Sequence, residues 1–156
     1  MTPADAPENR PARPEDEPAL LGLMRDFYAE EHLVFDELIG QRTLRELLTH
    51  PQFGLVRLIE SAGAPVGYFA LTFGFSAEFH GRYALLDELY LIPPVRGRGW
   101  GRQCVALAGD LARHEGIAAL RLEVNHANAH ARAVYLKAGF QDNRRDLFTQ
   151  WLASSP

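Results

Sequence analysis

The stretch RYALLDELYLIPPVRGRGWGRQ, residues 82–103, begins as an apolar run and stops at Pro93 and Pro94. It then gives up three side chains at Gly97, Gly99 and Gly101, interleaved with Arg96, Arg98 and Arg102. The residues that follow have helical spacing: Cys104, Leu107, Ala108, Leu111 and Ala112 share a face, and Gly116 stands where a left-handed C-cap belongs. A helix start carries about half a positive charge, so each nearby cation costs a few tenths of a kcal/mol. Three arginines there require a compensating anion. A bare strand-to-helix turn aims successive backbone N–H groups at one point, which suits phosphate; a Cβ on the loop would hold the oxygens away. The spacing G-x-G-x-G is neither the dinucleotide fingerprint nor a P-loop, which disfavours a nicotinamide or ATP site.

Outward from this loop, the pattern predicts an α+β domain. Leu20, Leu21, Met24, Phe27 and Tyr28 recur at helical spacing behind Pro14, predicting a helix over roughly 14–31, and Leu38, Leu44, Leu47 and Leu48 predict another over 36–50. GLVRLIE and VGYFALTFGF, separated by SAGAP, read as a hairpin, and residues 82–92 as a third strand. LRLEV at 120–124 is a further strand, and Asn128 can cap a short helix that ends at Gly139. Strand, glycine loop, helix and strand make a βαβ unit within a mixed sheet. Residues 1–8, with two prolines and few apolar groups, are expected to be flexible, and 9–156 to form a single domain.

Composition narrows the function. Sixteen basic against 20 acidic residues give a formal charge of -4, which offers no overall field for nucleic acid. An RNA-binding role for Arg96, Arg98 and Arg102 also lacks a flanking aromatic platform. No window approaches the ~18 apolar residues of a membrane span. A single cysteine, Cys104, and the lack of an apolar leader point to the cytoplasm. His126 and His130 are four apart, but a helix starting at Asn128 spoils their common face, so no metal is expected.

These features resemble the GCN5-related N-acetyltransferase (GNAT) family. RGRGWG, residues 96–101, fits its acetyl-CoA signature of Arg or Gln, two residues, Gly, one residue, then Gly or Ala. LLDELYLIPP is similar to the family's splayed fourth strand, and NAHARAVYLKAGF matches its later segment at Asn128, Ala131, Tyr135, Gly139 and Phe140. The resemblance spans about residues 10–150 and departs from the pattern in two places. Trp100 stands where an aliphatic residue is usual, and Arg13 where many relatives have a Ser or Thr cap. It implies a mostly antiparallel sheet with helices on both faces, a splayed strand pair at the acetyl-CoA site, and acetyl transfer from acetyl-CoA to an amine. Leu89, Tyr90 and Leu91 would then pair with the pantetheine arm. Arg96 through Arg102, with Trp100 among them, and Asn128 would hold the rest of the donor. Tyr135 would protonate the leaving thiolate; by periodicity alone it is a core tyrosine beside Ala131, Val134 and Ala138.

Asp87 and Glu88 are two carboxylates within an apolar strand. Neighbouring strand residues face opposite ways, so both reach one cleft only if the strand bulges. An alkylamine with pKa near 10.4 is about 0.04% neutral at pH 7, a deficit of roughly 4 to 5 kcal/mol, and attack on a thioester requires that proton to leave. By resemblance, Glu88 serves as the base, with Asp87 as substitute or partner. Cys104, on the packed face of its helix, is not expected to be a nucleophile. Glu30, Glu31, Asp36, Glu37 and Glu78 are read either as the rim of a cleft for a small cationic amine or as solvated faces. A peptide amine as acceptor and a non-catalytic acyl-CoA sensor remain alternatives. The apolar segment DLFTQWL, 146–152, is expected to complete the sheet or to pair across a homodimer interface.

Overall fold

A computed structural model describes residues 7–153, which fall into two compact units divided between Glu123 and Val124. The first unit carries strand β1 (Glu8–Pro11), helices α1 (Glu17–Glu30) and α2 (Glu37–Thr49), and strands β2 (Gly54–Ser61), β3 (Ala64–Ser76) and β4 (Gly81–Leu91). Helix α3 (Trp100–His114) and strand β5 (Leu120–Leu122) complete it. The sheet order is β1-β2-β3-β4-β5, antiparallel throughout except for the parallel pair β4–β5 that α3 connects.

The hairpin between β2 and β3 turns on Ala62 and Gly63, both at positive φ (50° and 76°), as a two-residue type I′ turn demands. Asp36 caps α2 by accepting from the Ile39 N–H. The segment expected as the start of the first helix is a 3-10 turn at Pro14–Asp16, and α1 begins at Glu17. Asp16, rather than Arg13, supplies the side chain there, accepting from the Arg13 N–H at 2.7 Å. Of the residues expected to be flexible, 1–6 lie outside the described residues, while Glu8 starts β1. That edge strand leaves no periodic signal in the sequence, because it is short and ends in proline, which only an edge tolerates well.

The core lies on both faces of the sheet. Leu20, Leu23, Met24 and Leu44 of α1 and α2 pack on Val56, Leu58, Tyr68, Ala70 and Tyr90, while Ala112 of α3 and Ile117 pack with Phe73 and Ala84. Ala84 and Tyr90 belong to opposite faces although their separation along β4 is even, which an unbroken strand forbids. The register supplies the reason: Ala70 pairs with Glu88 but Leu71 with Leu86, so Asp87 is an extra residue in β4. This bulge reverses every side chain beyond it.

The second unit holds helix α4 (Ala129–Lys137). Asn128 Oδ1 accepts from the Ala131 N–H at 3.0 Å. At the other end Phe140 N–H donates to the Tyr135 carbonyl and Gly139 N–H to that of Leu136, with Gly139 at φ 94°. This is a Schellman cap, and the edge contact of Tyr135 with Phe140, 5.8 Å between ring centroids, is its accompanying apolar pair. Residues 141–152 contain neither helix nor strand, so the sheet strand expected in DLFTQWL is not formed.

Candidate active site

Along β4 the ladder with β5 ends at Leu86, paired with Leu122, while β4 continues to Leu91. β5 is shorter than the LRLEV run suggested, and the ladder stops beside the bulge at Asp87. Beyond its end, Leu89, Tyr90 and Leu91 line a groove of about 230 Å³ together with Phe27, Glu30, Glu31 and Arg96. The glycine loop follows. Gly97 and Gly99 have φ of 76° and 79°, so both need glycine for the backbone path alone. Gly101 lies in the first turn of α3 without a positive φ, and a Cβ there would meet nothing within 4 Å. Gly99 is the N-cap, and no side chain caps the helix. A helix entrance that no side chain closes fits an oxyanion of a phosphate.

The predicted loop residues divide by role. Trp100 is 2% exposed, so its ring is a core anchor and its backbone is what it offers to a ligand. Arg98 and Arg102 are exposed, with the Arg98 guanidinium 5.8 Å from the Trp100 ring. Arg96 is committed within the protein: Nη2 donates to both Glu30 oxygens at 2.9 and 2.8 Å, and Nε to the Leu91 carbonyl at 2.7 Å. Cys104 is buried and burial pushes its thiol up to about 11, which leaves it unreactive.

On the α1–α2 face, the bulge brings Asp87 and Glu88 to one cavity of about 290 Å³, walled by Met24, Leu44, Leu47, Phe53 and Val56. Tyr28 of α1 donates to one Glu88 oxygen at 2.9 Å and Tyr68 of β3 to the other at 2.8 Å. Burial pushes the Glu88 carboxyl above its ordinary range, the hydrogen bonds from Tyr68 and Tyr28 pull it part-way back, and Asp87 raises it again. Asp87 is exposed, yet its carboxyl also rises, first by partial loss of hydration and then by the charge of Glu123. Of the acids expected at the rim, Asp36 is a helix cap, Glu37 pairs with Arg25 at 2.7 Å and Glu30 with Arg96; Glu46 of α2 is the carboxylate that joins the cavity instead. Tyr28, Tyr68 and Glu46 carry no local signal, because the tyrosines lie 60 and 20 residues from Glu88 and read as ordinary apolar-face positions. Tyr135 lies in α4 and Asn128 is its N-cap, both in the second unit.

A family model described as the acetyltransferase (GNAT) family matches residues 18–140. The chain belongs to the GNAT family. It is an acetyl-CoA-dependent N-acetyltransferase, with acetyl-CoA as donor and an amine as acceptor. It is 28% identical to the thialysine N-epsilon-acetyltransferase of Bos taurus, over 85% of this chain and 83% of that one. It is 29% identical to the streptothricin acetyltransferase of Streptomyces lavendulae, over 85% and 80%. The crystal structure of an integron cassette protein from the mobile metagenome of the Cole Harbour salt marsh superposes with a TM-score of 0.83 at 32% identity, covering 94% of this chain and 91% of that one. No helix among the described residues of this GNAT protein is long and apolar enough to cross a membrane.

Proposed function

We propose that the protein acetylates a primary amine borne by a small cationic molecule, by direct attack within a ternary complex. The observation that carries this reading is the Asp87 bulge, which puts two carboxylates on one partly apolar cavity. An ammonium entering there gives one proton to Glu88, with Asp87 beside it as partner; the freed lone pair attacks the thioester carbonyl and the carbon–sulfur bond breaks. The thiolate takes its proton from Tyr135, which is replenished from water, while the second nitrogen proton passes to solvent. A thiol with pKa near 8.5 needs that help less than the amine needs deprotonation. Backbone groups of Leu89, Tyr90 and Leu91 would pair with the pantetheine arm, and the amides at Gly97–Arg102 would take the pyrophosphate, with Asn128 as a further contact. The relatives named for thialysine and streptothricin support a small-molecule acceptor over a peptide amine.

In this reading residues 9–156 act as one N-acetyltransferase domain in the cytoplasm. The exposed Leu147, Phe148, Trp151 and Leu152 support a homodimer, which light scattering at micromolar concentration would detect. The deciding experiment is thiol release from acetyl-CoA across a panel of amines, as a function of pH. Glu88→Gln should depress kcat/KM most near neutral pH and recover as pH rises and solvent supplies neutral amine, whereas Tyr135→Phe should lower kcat with little change in acetyl-CoA affinity. Absence of alkaline rescue would remove Glu88 as the base.

A further inference from the structure

The cavity that receives the acceptor carries three carboxylates, Glu46, Asp87 and Glu88, and among the described residues no Lys, Arg or His lines it. A carboxylate partly withdrawn from water without a cationic neighbour, as Glu88 is, takes up a proton more readily, and in that form it cannot accept one from an ammonium. Yet Glu88 is not left to its neighbours' repulsion. Its two oxygens are held separately, one by Tyr28 from α1 and one by Tyr68 from β3, at 2.9 and 2.8 Å. Tyr68 is 1% exposed and packed in the core, whereas Tyr28 is half-buried and braced edge-on by Phe27 and Phe35. Both phenols are pushed well above their ordinary range by burial and then by the Glu88 charge, so both remain protonated donors at any working pH.

We infer that Tyr28 and Tyr68 are positioning residues for acetyl transfer: a two-sided hydroxyl clamp that fixes the Glu88 carboxylate and keeps it charged in the absence of a resident cation. The inference rests on the reading of Glu88 as the base. Each tyrosine oxygen occupies one lone pair of one carboxylate oxygen, which leaves the remaining lone pairs for the incoming ammonium. The clamp takes the place of a Lys or Arg partner, which would compete with the cationic acceptor for the same carboxylate. Tyr28 from α1, Tyr68 from β3 and Asp87 on β4 act on Glu88, with Glu123 acting on Asp87; Glu46 from α2 lines the same cavity and is paired with His50 at 3.2 Å. Only the two hydroxyls favour the charged form of Glu88.

The test uses Tyr28→Phe, Tyr68→Phe and the double variant in the full chain, each checked by thermal melting. Two readouts are compared: the Glu88 carboxyl titration followed by carbon-detected NMR without substrate, assigned by its disappearance in Glu88→Gln, and the acid limb of kcat/KM against pH. Each single variant should raise the titration midpoint by about one pH unit, the worth of one hydrogen bond to a charged group, and the double variant should raise it further. The acid limb should move upward by the same amount, while kcat/KM on the alkaline plateau falls less than at neutral pH. An unmoved titration in the folded Tyr28→Phe variant overturns the clamp, even if Tyr68→Phe proves unstable. A titration that moves while the acid limb stays still has a different meaning. The hydroxyls then hold a carboxylate that is not the base, and both the positioning role and the reading of Glu88 fall.

Discussion

Helices α3 and α4 begin in opposite ways. At α4 the chain supplies its own acceptor, Asn128 Oδ1, for the Ala131 N–H, and no cation follows until Arg132. At α3 the N-cap is Gly99 in a left-handed conformation, no side chain closes the end, and Arg96, Arg98 and Arg102 surround it. The C-terminus of α3 obeys the dipole, with Arg113 and His114 in its last turn, so the conflict is confined to the entrance. A helix end that satisfies itself has a structural role. One whose cap is a bare glycine, with the exposed Arg98 and Arg102 on either side, has the form of an anion site.

Adding a side chain at the open end should break the comparison most forcefully. Gly101→Val adds a Cβ into open space at an ordinary helical φ, so calorimetry should show acetyl-CoA affinity falling about 10- to 100-fold, one or two charge-assisted hydrogen bonds, with the melting temperature maintained. Gly99→Val blocks the same approach but also forces a β-branched residue to φ 79°, so its melting temperature should fall as well. If Gly101→Val binds normally, the amides of α3 are not the phosphate cradle. At the closed end, Asn128→Ala should cost about 1 kcal/mol in chemical denaturation, and Asn128→Ser should restore most of it. A donor contact beyond the cap would show as weaker acetyl-CoA binding by Asn128→Ser despite its recovered stability. Gly139→Ala, at φ 94°, should destabilise α4 by about 1 kcal/mol, measured the same way, without touching the α3 entrance. The smallest effect is expected from Arg98→Ala. An exposed cation contributes roughly threefold or less in affinity, and the difference should vanish in high salt.

How far each region was legible in the sequence follows from the range of the forces involved. Both helix entrances could be read directly, because a cap, a left-handed glycine or a row of arginines acts within one turn of the chain. The α4 motif Asn128…Tyr135…Gly139-Phe140 is likewise a local code for an N-cap and a Schellman end. The hairpin at Ala62-Gly63 and the presence of the two long helices were also legible, though the first starts at Glu17, behind a 3-10 turn. β1 and the short reach of β5 were not, since neither has enough residues to show a period.

The carboxylate pair shows where local reading ends. The sequence by itself determined that Asp87 and Glu88 stand at the centre of the third predicted strand, that a bare basic loop follows them, and that both reach one cleft only if the strand bulges. Only the tertiary structure decided that it does, through a register in which Ala70 meets Glu88 and Leu71 meets Leu86. It also decided that Arg96 is tied to Glu30 rather than left for the donor alone, and that Glu88 is held by hydroxyls from α1 and β3. Caps and turns are settled by atoms a few residues apart. A bulge, an ion pair across 66 residues or a clamp assembled from three elements depends on how whole faces pack, and no window of sequence contains all the partners.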